Sequence, residues 1–150
     1  MRGVRRSVAA SCAAALLLLA ACGGGYTGLS KTDFVSQADT ICKTYEAKLT
    51  AMFGHVSADT TLSEVQSIYQ LQAIPVFLAE VQQLRKLKPP KADRATVAKI
   101  FDDLSTGVDQ LDAQVRAAKS LKELDALAPA GLKQASGDAK AYGLVVCGTS

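Results

Sequence analysis

Residues 92–118, "ADRATVAKIFDDLSTGVDQLDAQVRAA", decide the fold. Val97, Ile100, Phe101, Leu104, Val108, Leu111, Val115 and Ala118 recur at steps of three or four, the spacing of one helical face, while Asp102, Asp103, Asp109, Asp112 and Arg116 fall on the other side. A helix of this length with one continuous apolar stripe needs other apolar faces to cover it. The fold class therefore depends on whether the flanking segments are helical too.

They carry the same period. Upstream, Ser30 can cap a helix beginning near Lys31, with Asp33 in its first turn, and Phe34, Ala38, Ile41, Tyr45, Leu49 and Met52 form its apolar face. Cys42 lies on the flank of that face, and Gly54 with "HVSADTT" (55–61) ends the helix. A second helix starts after Thr61, with Glu64 in capping position, and runs to Leu87 before Pro89 and Pro90 stop it. Pro75 inside it removes a backbone hydrogen bond, so a kink or a break near Ile74 is expected.

Beyond Ser120 a fourth helical region reads Leu121, Leu124 and Leu127, is interrupted by Pro129 and Gly131, and resumes through Leu132, Ala135, Ala139 and Tyr142 to a cap at Gly143. No segment alternates with period two long enough to build a sheet. The expectation is an all-α fold, an antiparallel bundle of about four helices. Up-down-up-down order brings the end of the last helix towards the start of the first, and with them Cys147 towards Cys42.

The amino-terminal residues speak of location. Arg2, Arg5 and Arg6 precede an apolar run of about 15 residues that ends at Cys22, shorter than the roughly 20 needed to span a bilayer. "Leu19-Ala20-Ala21-Cys22" resembles the lipobox of bacterial lipoproteins, and the resemblance implies cleavage before Cys22 and attachment of a diacylglycerol to its thiol. On that reading residues 1–21 are a signal peptide, 22–30 a lipidated cysteine and glycine-rich tether, and 31–150 the helical domain. A tether of this length holds the domain on the order of 15 Å from the lipid. Removing the three leader arginines leaves 14 basic against 14 acidic side chains, so overall charge gives no reason to expect a nucleic-acid partner.

Four cysteines then sort themselves. Cys12 leaves with the leader and Cys22 carries lipid, so Cys42 and Cys147 remain, in an exported protein most simply a disulfide, with two buried free thiols as the alternative. "FVSQADTIC" (34–42), "LKPP" (87–90) and "AKAYGLVVCG" (139–148) together resemble a group of small actinobacterial lipoproteins and secreted helical proteins. That resemblance implies a helical domain with a Cys42 to Cys147 bond in the cell envelope, and brings no activity with it.

The chemistry-bearing residues are sparse. His55, the single histidine, sits in a loop with Asp59 the nearest acid, which reads as a surface loop and not as a catalytic pair. The aspartates of the 92–118 helix point away from its apolar stripe and read as a solvated face; neither metal nor other cofactor is expected. Arg85, Lys86, Lys88, Lys91 and Arg94 gather at the turn around Pro89 and Pro90. Some of these charges complement a helix carboxyl end, and the group is also a candidate contact for anionic lipid headgroups or cell-wall polymer. Its place relative to the anchor is open at this level. The expected function is that of a membrane-anchored, non-catalytic interaction or accessory module with an envelope protein as partner. A small binding protein for a lipid or apolar ligand, in a cavity opened by Pro75, is the alternative.

Overall fold

The computed structural model describes residues 26–149. Cys22, the leader and the first tether residues lie outside them. Helix α1 spans Lys31–Phe53, α2 Leu62–Ile68, α3 Ile74–Lys86, α4 Arg94–Ala117, α5 Leu121–Asp125 and α6 Ala130–Tyr142, with a short 3-10 turn at Lys91–Asp93. Among the described residues there is no strand. The protein is an antiparallel all-α bundle of four helical lengths, α1, α2–α3, α4 and α5–α6, closed by one disulfide.

Local chemistry sets the helix ends where the sequence puts them. The Ser30 hydroxyl accepts the Asp33 N–H at 3.1 Å and donates to the Asp33 carboxylate at 2.6 Å. Thr61 and Glu64 form a complete capping box, with the Glu64 carboxylate accepting the Thr61 N–H at 2.7 Å. Ser120 caps α5 by accepting the Glu123 N–H.

The break expected near Ile74 takes the form of a change of helix type: α2 ends at Ile68 and α3 begins at Ile74, directly before Pro75. The chain winds from α2 into α3 through a π-helical turn at Tyr69–Ala73, with the Ile74 N–H reaching back to the Tyr69 carbonyl. A proline ring collides with the carbonyl four residues before it, and a widened turn just ahead of Pro75 is how the backbone avoids that collision without unwinding.

Helix α4 is the centre of the bundle. It packs most extensively on α6 and also on α3, and its Val97, Ile100, Val108 and Val115 are all buried. The approach to α6 is closest at Gly107 and Gly131: a Cβ added to Gly131 would lie 2.6 Å from the Gly107 nitrogen. The expected interruption falls at 126–129, up to Pro129, and Gly131 is already past it. Gly131 lies inside α6, buried, where the two backbones touch, and its N–H is taken by the Gln110 side chain at 2.8 Å. The Gln66 amide donates to the carbonyls of Val115 and Ala118 at 2.8 and 3.0 Å, satisfying the carboxyl end of α4.

The carboxyl-terminal segment reverses direction. Gly143 caps α6 in the left-handed region at φ 108°, a conformation that suits glycine, and Leu144 drops into the core with no exposure. The N–H groups of Val145, Val146 and Cys147 then point at the Asp39 carboxylate, at 3.0, 2.9 and 3.3 Å. This delivers Cys147 to Cys42, with Cα atoms 5.3 Å apart at a sequence separation of 105. The end of α6 does lie beside the start of α1, where Phe34 meets Tyr142 edge-on at 6.0 Å. The disulfide itself is not at that end, because the tail doubles back along α6 to reach the middle of α1.

Candidate functional site

At one end of the bundle the α3–α4 turn carries the basic group found in the sequence. Lys86, Lys88, Lys91 and Arg94 are exposed there. Arg85 is not available in the same way. Its guanidinium crosses to α4, donating to the Asp102 carboxylate at 2.7 Å, to the Phe101 carbonyl at 3.0 Å and to the Ser105 hydroxyl at 3.2 Å. Lys31, at the start of α1, joins the same end and lies 4.4 Å from the centre of the Tyr142 ring. The acids at this end are engaged locally: Asp33 with Ser30, and Asp93 with the Tyr142 hydroxyl at 2.7 Å. Burial, with that bond second, pushes the Tyr142 phenol up from its ordinary value.

The chain arrives from its amino terminus at this same end. The Tyr26 hydroxyl donates to the Pro89 carbonyl at 2.6 Å, the Leu29 N–H donates to the Lys88 carbonyl at 2.8 Å, and the Arg94 guanidinium stacks 4.7 Å from the Tyr26 ring centre. Residues 26–30, expected as part of a loose tether, are therefore docked against the α3–α4 turn. An aromatic ring with a hydroxyl can use both an apolar face and a carbonyl partner, and Pro89 presents the latter. Tyr26, Lys88, Lys91, Arg94 and Ala98 border an open groove of about 840 Å³ with Phe101 and Val97 in its floor.

The opposite end differs in charge. Asp59, Glu64, Glu123 and Asp125 are exposed there alongside Lys119 and Lys122. His55 is exposed in the same region, bordering an open groove of about 520 Å³ with Asp59 and Ser63. None of the hydrogen bonds among the described residues joins His55 to an acid, and the Glu64 carboxylate is committed to its capping box.

Asp102, Asp103 and Asp112 of α4 are in ion pairs, the first with Arg85. Lys99 bridges Asp103 at 2.6 Å and Asp138 of α6 at 2.7 Å, and Arg116 meets Asp112 at 2.9 Å. The two carboxylates hold the Lys99 ammonium up to about 12. These are exposed or half-exposed pairs of modest worth. Among the described residues no three His, Cys, Asp or Glu side chains are arranged to hold a metal ion.

One chemically notable residue escapes a reading of the sequence. Glu80 is only 7% exposed and lines a largely enclosed cavity of about 80 Å³ beside the disulfide, together with Phe77, Leu104 and Leu132. No hydrogen bond or ion pair with another described residue satisfies its carboxyl. Burial, reinforced by the charge of Glu46 on α1, pushes it up from 4.5 to about 7. The available signal was its step of three from Phe77 and of four to Leu84, which sets an acid within an apolar stripe.

A raised carboxyl pKa means that the folded state holds a proton the unfolded chain has released. The contribution of Glu80 to stability is then fully present below about pH 4.5 and is lost as pH rises to about 7. Glu80→Gln is expected to remove that decline, making the protein more stable than wild type at pH 8 by on the order of 3 kcal/mol and about equally stable at pH 4. Urea melts of both forms at the two pH values measure it.

The cavity is far below the roughly 300–1,000 Å³ of sites that enclose drug-sized molecules, and Ile74, beside Pro75, does not line it. No family model matches the chain, and neither a curated protein nor a solved structure matches it.

Proposed function

We propose that the protein is a lipid-anchored envelope lipoprotein that works without catalysis, as an interaction or accessory module held with its basic end to an anionic membrane surface. The supporting observation is the docking of Tyr26 and Leu29 on the α3–α4 turn. Four residue steps separate Cys22 from Tyr26 and reach at most about 14 Å, so a lipid on Cys22 inserts within that distance of Tyr26, which is docked on the turn that carries Lys86, Lys88, Lys91 and Arg94. Each such charge near an anionic surface adds roughly 1 kcal/mol of attraction. Among the described residues no helix is long and apolar enough to cross a membrane.

The partner-facing surface on this reading is formed by the π-helical turn and the start of α3. Leu71, Pro75 and Leu78 are exposed at helical spacing, with Leu71 75% exposed. They lie on the side of the helix away from Val81 and Leu84, where an envelope protein has access to them. The small volume of the enclosed cavity weighs against the alternative of a lipid carrier.

Two results test the anchoring. Cys22→Ser should move the protein from the membrane to the soluble fraction with its helical circular dichroism unchanged, since Cys42 and Cys147 hold the fold. Reversing Lys86, Lys88 and Lys91 to Glu in the soluble domain should weaken its binding to anionic vesicles by about 100-fold or more at low salt. Unchanged vesicle binding in that variant would remove the basic end from the account.

A further inference from the structure

We infer that the cavity beside the disulfide is a binding site for a small primary alkylammonium ion, with the Glu80 carboxylate as its counter-ion. The inference goes beyond the anchoring role and does not depend on it.

Three properties of the cavity select the ligand. Its wall is apolar where Phe77, Leu104, Leu132 and Leu144 contribute, and it holds one acid that is 7% exposed and has no partner among the described residues. The side-chain hydroxyl at the wall, that of Ser136, already donates to the Gly148 carbonyl. A neutral apolar guest would leave the carboxyl unpaired, and an anion would be repelled. Water fits a volume of this size, so a guest must displace water from the carboxylate and gains by covering the apolar wall that water leaves unsatisfied.

A primary ammonium satisfies both halves of the site. Its N–H groups donate to the carboxylate in a charge-assisted bond, and its alkyl stem lies against the apolar wall. Size then fixes the length. A cavity of about 150 Å³ accepts benzene, so about 80 Å³ suits three or four non-hydrogen atoms, the size of ethyl- or propylammonium.

The charges around Glu80 leave the role of counter-ion free. Glu46 of α1 raises its proton affinity. Arg85, on the same helix, is turned to Asp102 of α4, and Lys99 of α4 is held by Asp103 and by Asp138 of α6. A cationic guest therefore supplies the positive charge that the fold does not.

The test is a titration of the folded domain, with its disulfide intact, with n-propylammonium chloride at pH 8, followed by amide chemical shifts. A fragment of this size is expected to bind with a Kd of about 0.1–10 mM. Saturable shifts should centre on Phe77, Leu104 and Leu132. n-Propanol, equal in size but uncharged, and tetramethylammonium, charged but without N–H donors, should bind at least about tenfold more weakly. Binding should fall about 100-fold at pH 5, where Glu80 is protonated. Glu80→Gln should lose binding at pH 8, and Glu80→Asp, which keeps the charge, should retain part of it. The inference is overturned if propylammonium gives no saturable shift at these residues, if propanol binds as well, or if Glu80→Gln binds unchanged.

Discussion

Cys147→Ser should lower the unfolding free energy by roughly 4 to 5 kcal/mol and the melting temperature by about 15 °C. The bond closes a loop of 105 residues, and in the chain-entropy model the restriction it places on the unfolded chain grows with the logarithm of that length. The native contribution is local. The bond fastens a segment that also buries Leu144 and offers three N–H groups to Asp39, so those contacts remain available to the variant and the domain should still fold at low temperature. Differential scanning calorimetry of the variant, and of wild type after reduction, measures the shift. A midpoint within about 2 °C of oxidised wild type would mean that the tail is held without its covalent link.

Gly107→Ala should cost about 3 kcal/mol even though alanine is the better helix former by up to about 1 kcal/mol. The added Cβ would overlap the Leu132 nitrogen and lie 2.8 Å from the Gly131 carbonyl carbon, both backbone atoms that cannot rotate away. Helices α4 and α6 would have to separate along the most extensive interface of the bundle. Gly137 supplies the contrast within α6. It is exposed, and a Cβ there meets nothing within 4 Å, so Gly137→Ala should stabilise by about 0.5–1 kcal/mol. Opposite signs for the two substitutions in chemical denaturation would establish the glycine contact as the determinant of the α4–α6 distance.

These examples also mark how far the sequence can be read. The stripe from Val97 to Val115, the Ser30 and Thr61 caps and the turn at Gly143 are local patterns, and each holds in the structure because period and capping act over a few residues. The pairing of Cys42 with Cys147 was legible by elimination, whereas the reversal that brings them together was not. It depends on Asp39 meeting N–H groups more than 100 residues away.

Gly131 reads as a helix breaker until Gly107 is placed opposite it. Likewise "GGGYTGLS" (23–30) reads as a tether because nothing in its own residues announces that Tyr26 will find the Pro89 carbonyl. Arg85 counts among the basic residues of the turn in sequence, yet Asp102 and the Phe101 carbonyl draw its charge across to α4. Glu80 is the most instructive case. Periodicity sets it among apolar neighbours, but only the packed bundle, with the returning tail, leaves its carboxyl next to a small void.

The central claim is an orientation: a bundle whose basic end, Tyr26 and Lys86 to Arg94, faces the membrane. The most direct measurement places the full mature protein, lipidated at Cys22, on anionic nanodiscs containing headgroup spin-labelled lipid and maps the relaxation enhancement of backbone amides. The account predicts the strongest enhancement at Tyr26, Lys86, Lys88 and Lys91, fading towards Ser57, Asp59 and the α5 residues at the opposite end. Strongest enhancement at Ser57, Asp59 and α5, or equal enhancement at both ends, would contradict it.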